Sequence, residues 1–373
     1  MRIGIDAREL CGRATGVGRY LAGLLNEWAA DPDARRHEFL LCAPGPLSLP
    51  LDARRFPART VAGSGGTWWE QMQVPPAVAD EHLDVWFAPA YTAPLRLAVP
   101  IVVAIHDLSF VAHPEWFRVR EGARRRWLTY QSAQRARSVI TISEFSKREL
   151  VDRLNVPKDK VSVIPPGLRA EGLGLGTKDP APSPNPQSLF PNPYRVLFVG
   201  SLFNRRHVID LIRAFAPIAR ARPDASLDIV GDNRSYPVED PRRTIAAEQL
   251  EQQVHWHEYV SDAQLAGMYA NARAFAFLSE YEGLGLTPLE ALTAGVPPVL
   301  LDTAIARESC GAAALYVPVH DLEATTHALQ SLLFDEGTRR QIFSAAPAIL
   351  ARYNWPRAGR ETLSVIERSA EPA

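Results

Sequence analysis

Short apolar runs alternate with amphipathic stretches along this chain, and the alternation comes in two blocks. In the first block, residues 2–6, 38–42, 84–88, 101–105, 138–142 and 161–164 read as strands. Helical spacing lies between them, over 18–30, 118–137 and 144–154. The second block predicts strands at 195–200, 226–230, 253–256, 273–278, 298–301 and 313–317. Its helices are predicted at 208–221, 262–270, 288–294, 321–334 and 337–351, and a last amphipathic stretch follows at 355–368. Near-continuous apolar strands separated by helices predict parallel sheets covered on both faces. The fold class is therefore α/β, with two doubly wound domains. Ligands of such sheets bind beyond the carboxyl ends of the strands, so a cleft between the two domains is expected to hold the site.

The boundary between the blocks is legible in composition. Prolines 180, 182, 184 and 186 cannot build a helix or a central strand, because proline fixes φ and lacks the donor. Residues 1–168 read as the first domain, 169–194 as a Pro-rich linker and 195–354 as the second domain. A length of 373 residues fits that division. With 41 Lys+Arg against 42 Asp+Glu, the chain has no global pull toward nucleic acid. Cys11, Cys42 and Cys310 are too few and too scattered for a disulfide framework or a zinc site, which fits a reducing, cytoplasmic setting. No apolar run is long enough for a spanning helix.

Four constellations carry candidate chemistry. The first runs from Ser279 to Pro298, where a strand ends in a glycine-rich turn and a helix begins. Glu282 lies at the turn and Glu290 inside the helix. The backbone amides of Gly283, Leu284 and Gly285, with the helix end, suit an anion or a sugar. The plainer alternative is a capped corner with solvated acids. The second follows the strand 195–200: Gly200 and Ser201 open a turn that carries Arg205 and Arg206, whose guanidinium forks match phosphate oxygens. The third is the turn after Asp6, where Gly16 and Gly18 permit close approach of a ligand to the backbone. It lacks the complete dinucleotide fingerprint. The fourth is His106-Asp107 at the end of a buried strand. Gly231 ends the strand 226–230, at the carboxyl end where ligands of such sheets bind. Asp31-Pro-Asp33 is spelled like a metal motif, but it follows a helix and reads as a turn. No metal is expected.

These motifs resemble the retaining nucleotide-sugar glycosyltransferases of family 4, which have the GT-B fold of two Rossmann-like domains. Ser279, Glu282, Gly283, Gly285, Leu286, Leu289, Glu290, Ala291, Gly295 and Pro297 match the family's pattern, with Leu284 standing for its Phe. Arg205 and Arg206 fall at the family's cationic positions, and Ser201 stands where an Arg is common. The resemblance implies that Glu282 contacts the transferred sugar, Glu290 the ribose, Arg205 and Arg206 the diphosphate, and His106 the sugar. It implies that Asp107 orients the acceptor, and that the stretch from Trp355 returns onto the first domain.

The implied activity is transfer of a hexose, with mannose from GDP-mannose favoured and UDP-hexoses second, to a hydroxyl on a glycan or lipid-linked acceptor. No cofactor is implied. A nucleotide-sugar epimerase and a catalytically silent sugar-nucleotide binder are the competing readings. A basic stretch, Arg118 to Arg137 interleaved with Trp127 and Tyr130, could rest peripherally on the inner face of a membrane, or be an ordinary solvated helix face.

Overall fold

A computed structural model describes residues 1–12, 16–47, 49, 51–168 and 194–371. The chain divides into two compact units: Met1–Gly167 together with Tyr353–Ala373, and Leu168–Arg352. The predicted linker, 169–194, lies outside the described residues except for its last position.

The first unit is built on seven parallel strands: β1 (Arg2–Asp6), β2 (Glu38–Ala43), β3 (Ala58–Thr60), β4 (Val85–Ala88), β5 (Ile101–Ala104), β6 (Ser138–Thr141) and β7 (Val161–Val163). Their order is β3-β2-β1-β4-β5-β6-β7. Alternate residues of one strand enter different cores. Phe39, Leu41 and Ala43 pack into one buried cluster, while Leu40 and Cys42 pack into the other. Side chains of a strand point alternately to opposite faces, so burial of both faces requires an uninterrupted apolar run. β3 escaped the sequence reading because all three of its residues are exposed at the sheet edge.

The helix Trp355–Ala370 belongs to this unit and packs on the helix Gly16–Ala30. Glycines make the close approach: a Cβ at Gly23 or Gly167 would lie within 2.4 Å of the Trp355 side chain. The Trp28 indole donates to the carbonyl of Gly359 at 2.9 Å, fixing the register of the two helices.

The second unit has six parallel strands: β8 (Arg195–Val199), β9 (Ser226–Val230), β10 (Val254–His257), β11 (Ala274–Phe277), β12 (Pro298–Leu301) and β13 (Leu315–Val317). Their order is β10-β9-β8-β11-β12-β13. From β8 the chain first builds outward to β9 and β10, then returns to place β11 on the other side. The order of strand addition reverses between β8 and β11, which makes the carboxyl ends of those two parallel strands the place for a ligand. Among the described residues, no helix is long and apolar enough to cross a membrane.

Candidate functional site

The loops after β8 and β11 meet. Gly200 ends β8 at φ 149°, and Gly231 ends β9 at φ 148°. Both values lie where only glycine is comfortable. A Cβ on Gly231 would sit 2.1 Å from the carbonyl oxygen of Gly200, and one on Gly200 would sit 2.6 Å from Nη1 of Arg206. The two glycines thus let two turns cross and let Arg206 fold back over the strand end. Ser201 Oγ donates to Asp232 Oδ1 at 2.6 Å, tying the crossing together. Burial pushes the Asp232 carboxyl up, but the hydrogen bonds from Ser201 and Arg234 outweigh it and hold the group below its usual range.

Arg206 reaches Glu282. Its Nε and Nη2 lie 2.9 and 2.8 Å from Oε1 of the carboxylate, and Ser279 Oγ donates to the same oxygen at 2.8 Å. All three contacts end on Oε1, and Oε2 takes part in none of them. Arg206 Nη1 donates to the carbonyl of Ser201 at 2.9 Å. A guanidinium has five N–H groups, so these three bonds leave two. The cation also stacks on Phe277, 4.9 Å from its centroid. Arg205 stacks on Phe203 at 4.3 Å and donates to the carbonyl of Tyr281, while Glu280 N donates to the carbonyl of Arg205 at 2.9 Å. The two turns are therefore laced by main-chain and side-chain bonds together.

Gly285, at φ 80°, starts the helix Leu286–Thr293, which has neither a side-chain cap nor an acid in its first turn. Its positive end is left without a carboxylate of its own. The helix begins two residues earlier than the sequence spacing implied. Leu284 is buried beneath the turn, and Glu290 lies half-buried on the helix.

In the first unit, Gly16 and Gly18 are not in the loop before the first helix: they form its opening turn, and Gly18 is buried. The glycine-loop reading is corrected to that extent, and residues 13–15 lie outside the described residues. His106 is 7 % exposed. Its Nε2 lies 2.8 Å from the carbonyl of Pro89, and its ring meets Tyr20 and Tyr91 edge-on. Burial pushes the imidazole below its ordinary range despite that carbonyl and Asp107. A neutral ring that donates from Nε2 presents Nδ1 as an acceptor. Ser143 caps the helix Glu144–Leu154 through the amide of Ser146, and Ser146 Oγ donates to the His106 carbonyl at 3.0 Å.

Asp107 is already engaged. Oδ2 accepts from the Tyr91 hydroxyl at 2.5 Å, and Oδ1 accepts from the amide and hydroxyl of Ser109. It organises the turn in which it lies. Arg8 was missed by sequence reasoning. It bridges the buried carboxylates of Asp6 and Glu70. Burial alone would lower its guanidinium, but the two acids outweigh that and raise it. The only local signal was an acid and a base two residues apart at a strand end.

The basic helix, Val119–Arg135, is divided in its use. Arg125 stacks on Phe110 at 5.1 Å and Arg126 donates to the Phe110 carbonyl, while Arg120, Arg124, Trp127 and Tyr130 are exposed.

Comparison with known proteins covers both units. The family described as Glycosyltransferase Family 4 matches residues 14–171, and the family described as Glycosyl transferases group 1 matches residues 183–348. The chain is 25% identical over 295 residues to the O-antigen chain mannosyltransferase B of Escherichia coli, covering 78% of this chain and 76% of that protein. It is 27% identical over 300 residues to a D-inositol 3-phosphate glycosyltransferase of Kineococcus radiotolerans, covering 74% and 68%. Among solved structures it shares its fold with Anabaena HepE in complex with UDP-glucose, at TM-score 0.72 and 17% identity over 99% of this chain and 100% of that one. It also shares it with WaaG, a glycosyltransferase involved in lipopolysaccharide biosynthesis, at TM-score 0.71 and 16% identity over 98% and 99%.

Proposed function

Because this chain belongs to the group 1, family 4 glycosyltransferases with the GT-B fold, we propose that it moves a hexose, with mannose favoured, from a nucleoside-diphosphate sugar to a hydroxyl of a glycan or lipid-linked acceptor, with retention of configuration. The observation that carries this reading is the junction of Arg206 and Glu282 at the carboxyl ends of β8 and β11. It sets two unused guanidinium N–H groups beside a carboxylate that keeps one oxygen, Oε2, outside its bonds to the protein.

In this reading the diphosphate lies against Arg205, Arg206 and the uncapped end of the helix Leu286–Thr293, with Gly200, Ser201, Gly231, Gly283, Leu284 and Gly285 lining its path. As the glycosidic bond breaks, charge grows on the leaving diphosphate, and the two cations stabilise it. The acceptor attacks from the same face, and a phosphate oxygen takes its proton. Glu282 accepts a sugar hydroxyl at Oε2 and holds the ring, and Glu290 holds the ribose. His106, neutral, accepts a sugar hydroxyl at Nδ1, and Asp107 positions it through the turn they share. The arginines supply the positive charge, so the reaction needs no resident metal at the diphosphate. The likeness to a mannosyltransferase supports GDP-mannose as donor, and the fold shared with a UDP-glucose-bound enzyme makes UDP-glucose the second choice.

Exposed Arg120, Arg124, Trp127 and Tyr130 support a peripheral seat on an anionic membrane, which would suit a lipid-linked acceptor. Flotation with anionic liposomes at low salt should carry the protein up, and failure to float would remove that part.

A thermal-shift screen of nucleotide sugars tests the donor, since a ligand that binds only the folded state raises the melting temperature. GDP-mannose should give the largest rise, and nuclear magnetic resonance of the product should find the donor's anomeric configuration kept. An inverted product would overturn the mechanism. Interconversion of the donor without an acceptor would overturn the transferase reading in favour of an epimerase.

A further inference from the structure

A cluster outside the sugar-nucleotide machinery has the chemistry of a metal centre. His207 ends the Arg205-Arg206 turn, Asp210 lies in the first turn of the helix Val208–Ala221, and His320 lies in the turn after β13. Asp210 and His320 are 110 residues apart in sequence, yet their side chains meet. One ligand atom from each of the three lies within 4.8 Å of the others. Asp210 Oδ2 is the focus: His320 Nδ1 is 2.8 Å from it and His207 Nδ1 is 3.6 Å from it. We infer that His207 Nδ1, Asp210 Oδ2 and His320 Nδ1 bind a divalent zinc-like ion.

The independent observation is on the far side of His207. Its Nε2 is 2.6 Å from the carboxylate of Glu280. Such a carboxylate fixes the proton on Nε2 and turns the Nδ1 lone pair inward, toward Asp210. Carboxylate–histidine–metal arrangements have this form, with the outer acid orienting the ring and raising its basicity. A zinc ion with bonds of about 2.0–2.1 Å sets tetrahedral ligands about 3.4 Å apart, so the 2.8 Å pair would open slightly and the wider separations, up to 4.8 Å, would close around the ion. His320 can make these shifts, because its side chain is 67% exposed.

The backbone agrees. His207 has φ 45° and His320 has φ 60°, left-handed values that non-glycine residues adopt uncommonly and that concentrate at functional sites. The cluster's base is braced: Thr326 Oγ1, on the helix Leu322–Phe334, donates to the Ala214 carbonyl of the helix that carries Asp210, at 2.7 Å. Arg213 approaches the other Asp210 oxygen, Oδ1, at 3.8 Å and leaves Oδ2 to the histidines. His207, Asp210 and His320 also line an open pocket of about 410 Å³, which gives a fourth ligand, a water, room to enter. Two histidines, one carboxylate and water form a set suited to zinc among the divalent ions. The ion would clamp the turn that carries Arg206 to the turn after β13. This inference does not depend on the reaction proposed above.

Titration calorimetry of zinc chloride into chelator-treated full-length protein tests it. We expect one equivalent to bind, a rise in melting temperature with zinc, and, with cobalt(II) substituted, the visible absorption of a four-coordinate ion. His320→Ala, a change on the surface, should weaken binding at least tenfold and abolish the zinc-dependent rise. Asp210→Asn should do the same. Circular dichroism of the zinc-free variants checks that they fold, so that one of the two remains usable if the other does not. No saturable uptake by the wild-type protein overturns the assignment, and so does uptake that both variants retain.

Discussion

Replacing Glu282 takes the counter-ion from Arg206, and the geometry sizes the consequence. Oε1 lies 2.8 Å from Nη2 and 2.9 Å from Nε. At an effective dielectric near 20, opposite charges at that separation attract by about 6 kcal/mol. The Arg206 and Glu282 side chains are only 13% and 18% exposed, so desolvation offsets much of this, and a net coupling of about 1.5–3 kcal/mol remains. Glu282→Gln and Arg206→Met should each destabilise the second unit by that amount in urea unfolding. The double variant should lose clearly less than the sum of the two, because neither change has a partner left to strand. Turnover should respond more steeply. If Arg206 meets charge that grows only as the diphosphate leaves, its loss should lower kcat by about 10²–10³, read as nucleoside diphosphate released from the donor that the thermal screen selects. The KM for donor should move less than kcat. Additive destabilisation would mean that the pair is not coupled. A kcat within threefold of wild type in Arg206→Met would remove the arginine from the reaction.

Three further outcomes follow from the geometry. Gly231→Ala would put a Cβ 2.1 Å from the Gly200 carbonyl at φ 148°, and should cost about 2–5 kcal/mol, lowering the melting temperature by roughly 5–15 °C. An unchanged melting temperature in a scanning calorimeter would contradict the crossing. Arg8→Met would strand the Asp6 and Glu70 carboxylates in the first unit and should cost about 3–5 kcal/mol in chemical unfolding, and a loss under 1 kcal/mol would refute the bridge. His106 has its folded pKa pushed below the unfolded value, so its contribution is fully present above about pH 6.5 and is lost as pH falls toward the folded pKa. Stability measured between pH 7 and 5 should fall by at most about 1.4 kcal/mol per unit from this group, and His106→Asn should flatten that slope. The same slope in both proteins would mean that the ring titrates normally.

Strand positions were legible because two-sided burial forces an apolar run, and the runs at 38–42 and 101–105 feed both cores of the first unit. Elements that bury little gave no such signal. β3 is wholly exposed, and the short helix Pro241–Ala247 buries only Pro241 and Ile245. Helix starts shifted where glycine entered the first turn. The pattern read Gly16 as loop, yet the helix Gly16–Ala30 begins there. Glycine carries no hydrophobic signal, and its conformation is fixed only by what packs around it.

The site was legible by a different route. Nothing local pairs Arg206 with Glu282, which are 76 residues apart in sequence. Their meeting depends on strand order: β8 must neighbour β11 rather than stop at β9, and that order is set by how the whole sheet packs. The sequence motif carried the pairing only because a family pattern already joins its parts. Where no pattern joined the parts, the contact went unseen. His207 and Asp210 fall within the same turn and helix, but His320 reaches them from the other end of the sheet, after β13. Asp107 illustrates the converse. The resemblance gave it a role toward the acceptor, and in the fold both of its oxygens also accept hydrogen bonds from Tyr91 and Ser109. Glu282, all of whose bonds converge on Oε1, keeps a whole oxygen outside those bonds, whereas Asp107 engages both of its oxygens within its own turn and keeps only their remaining lone pairs.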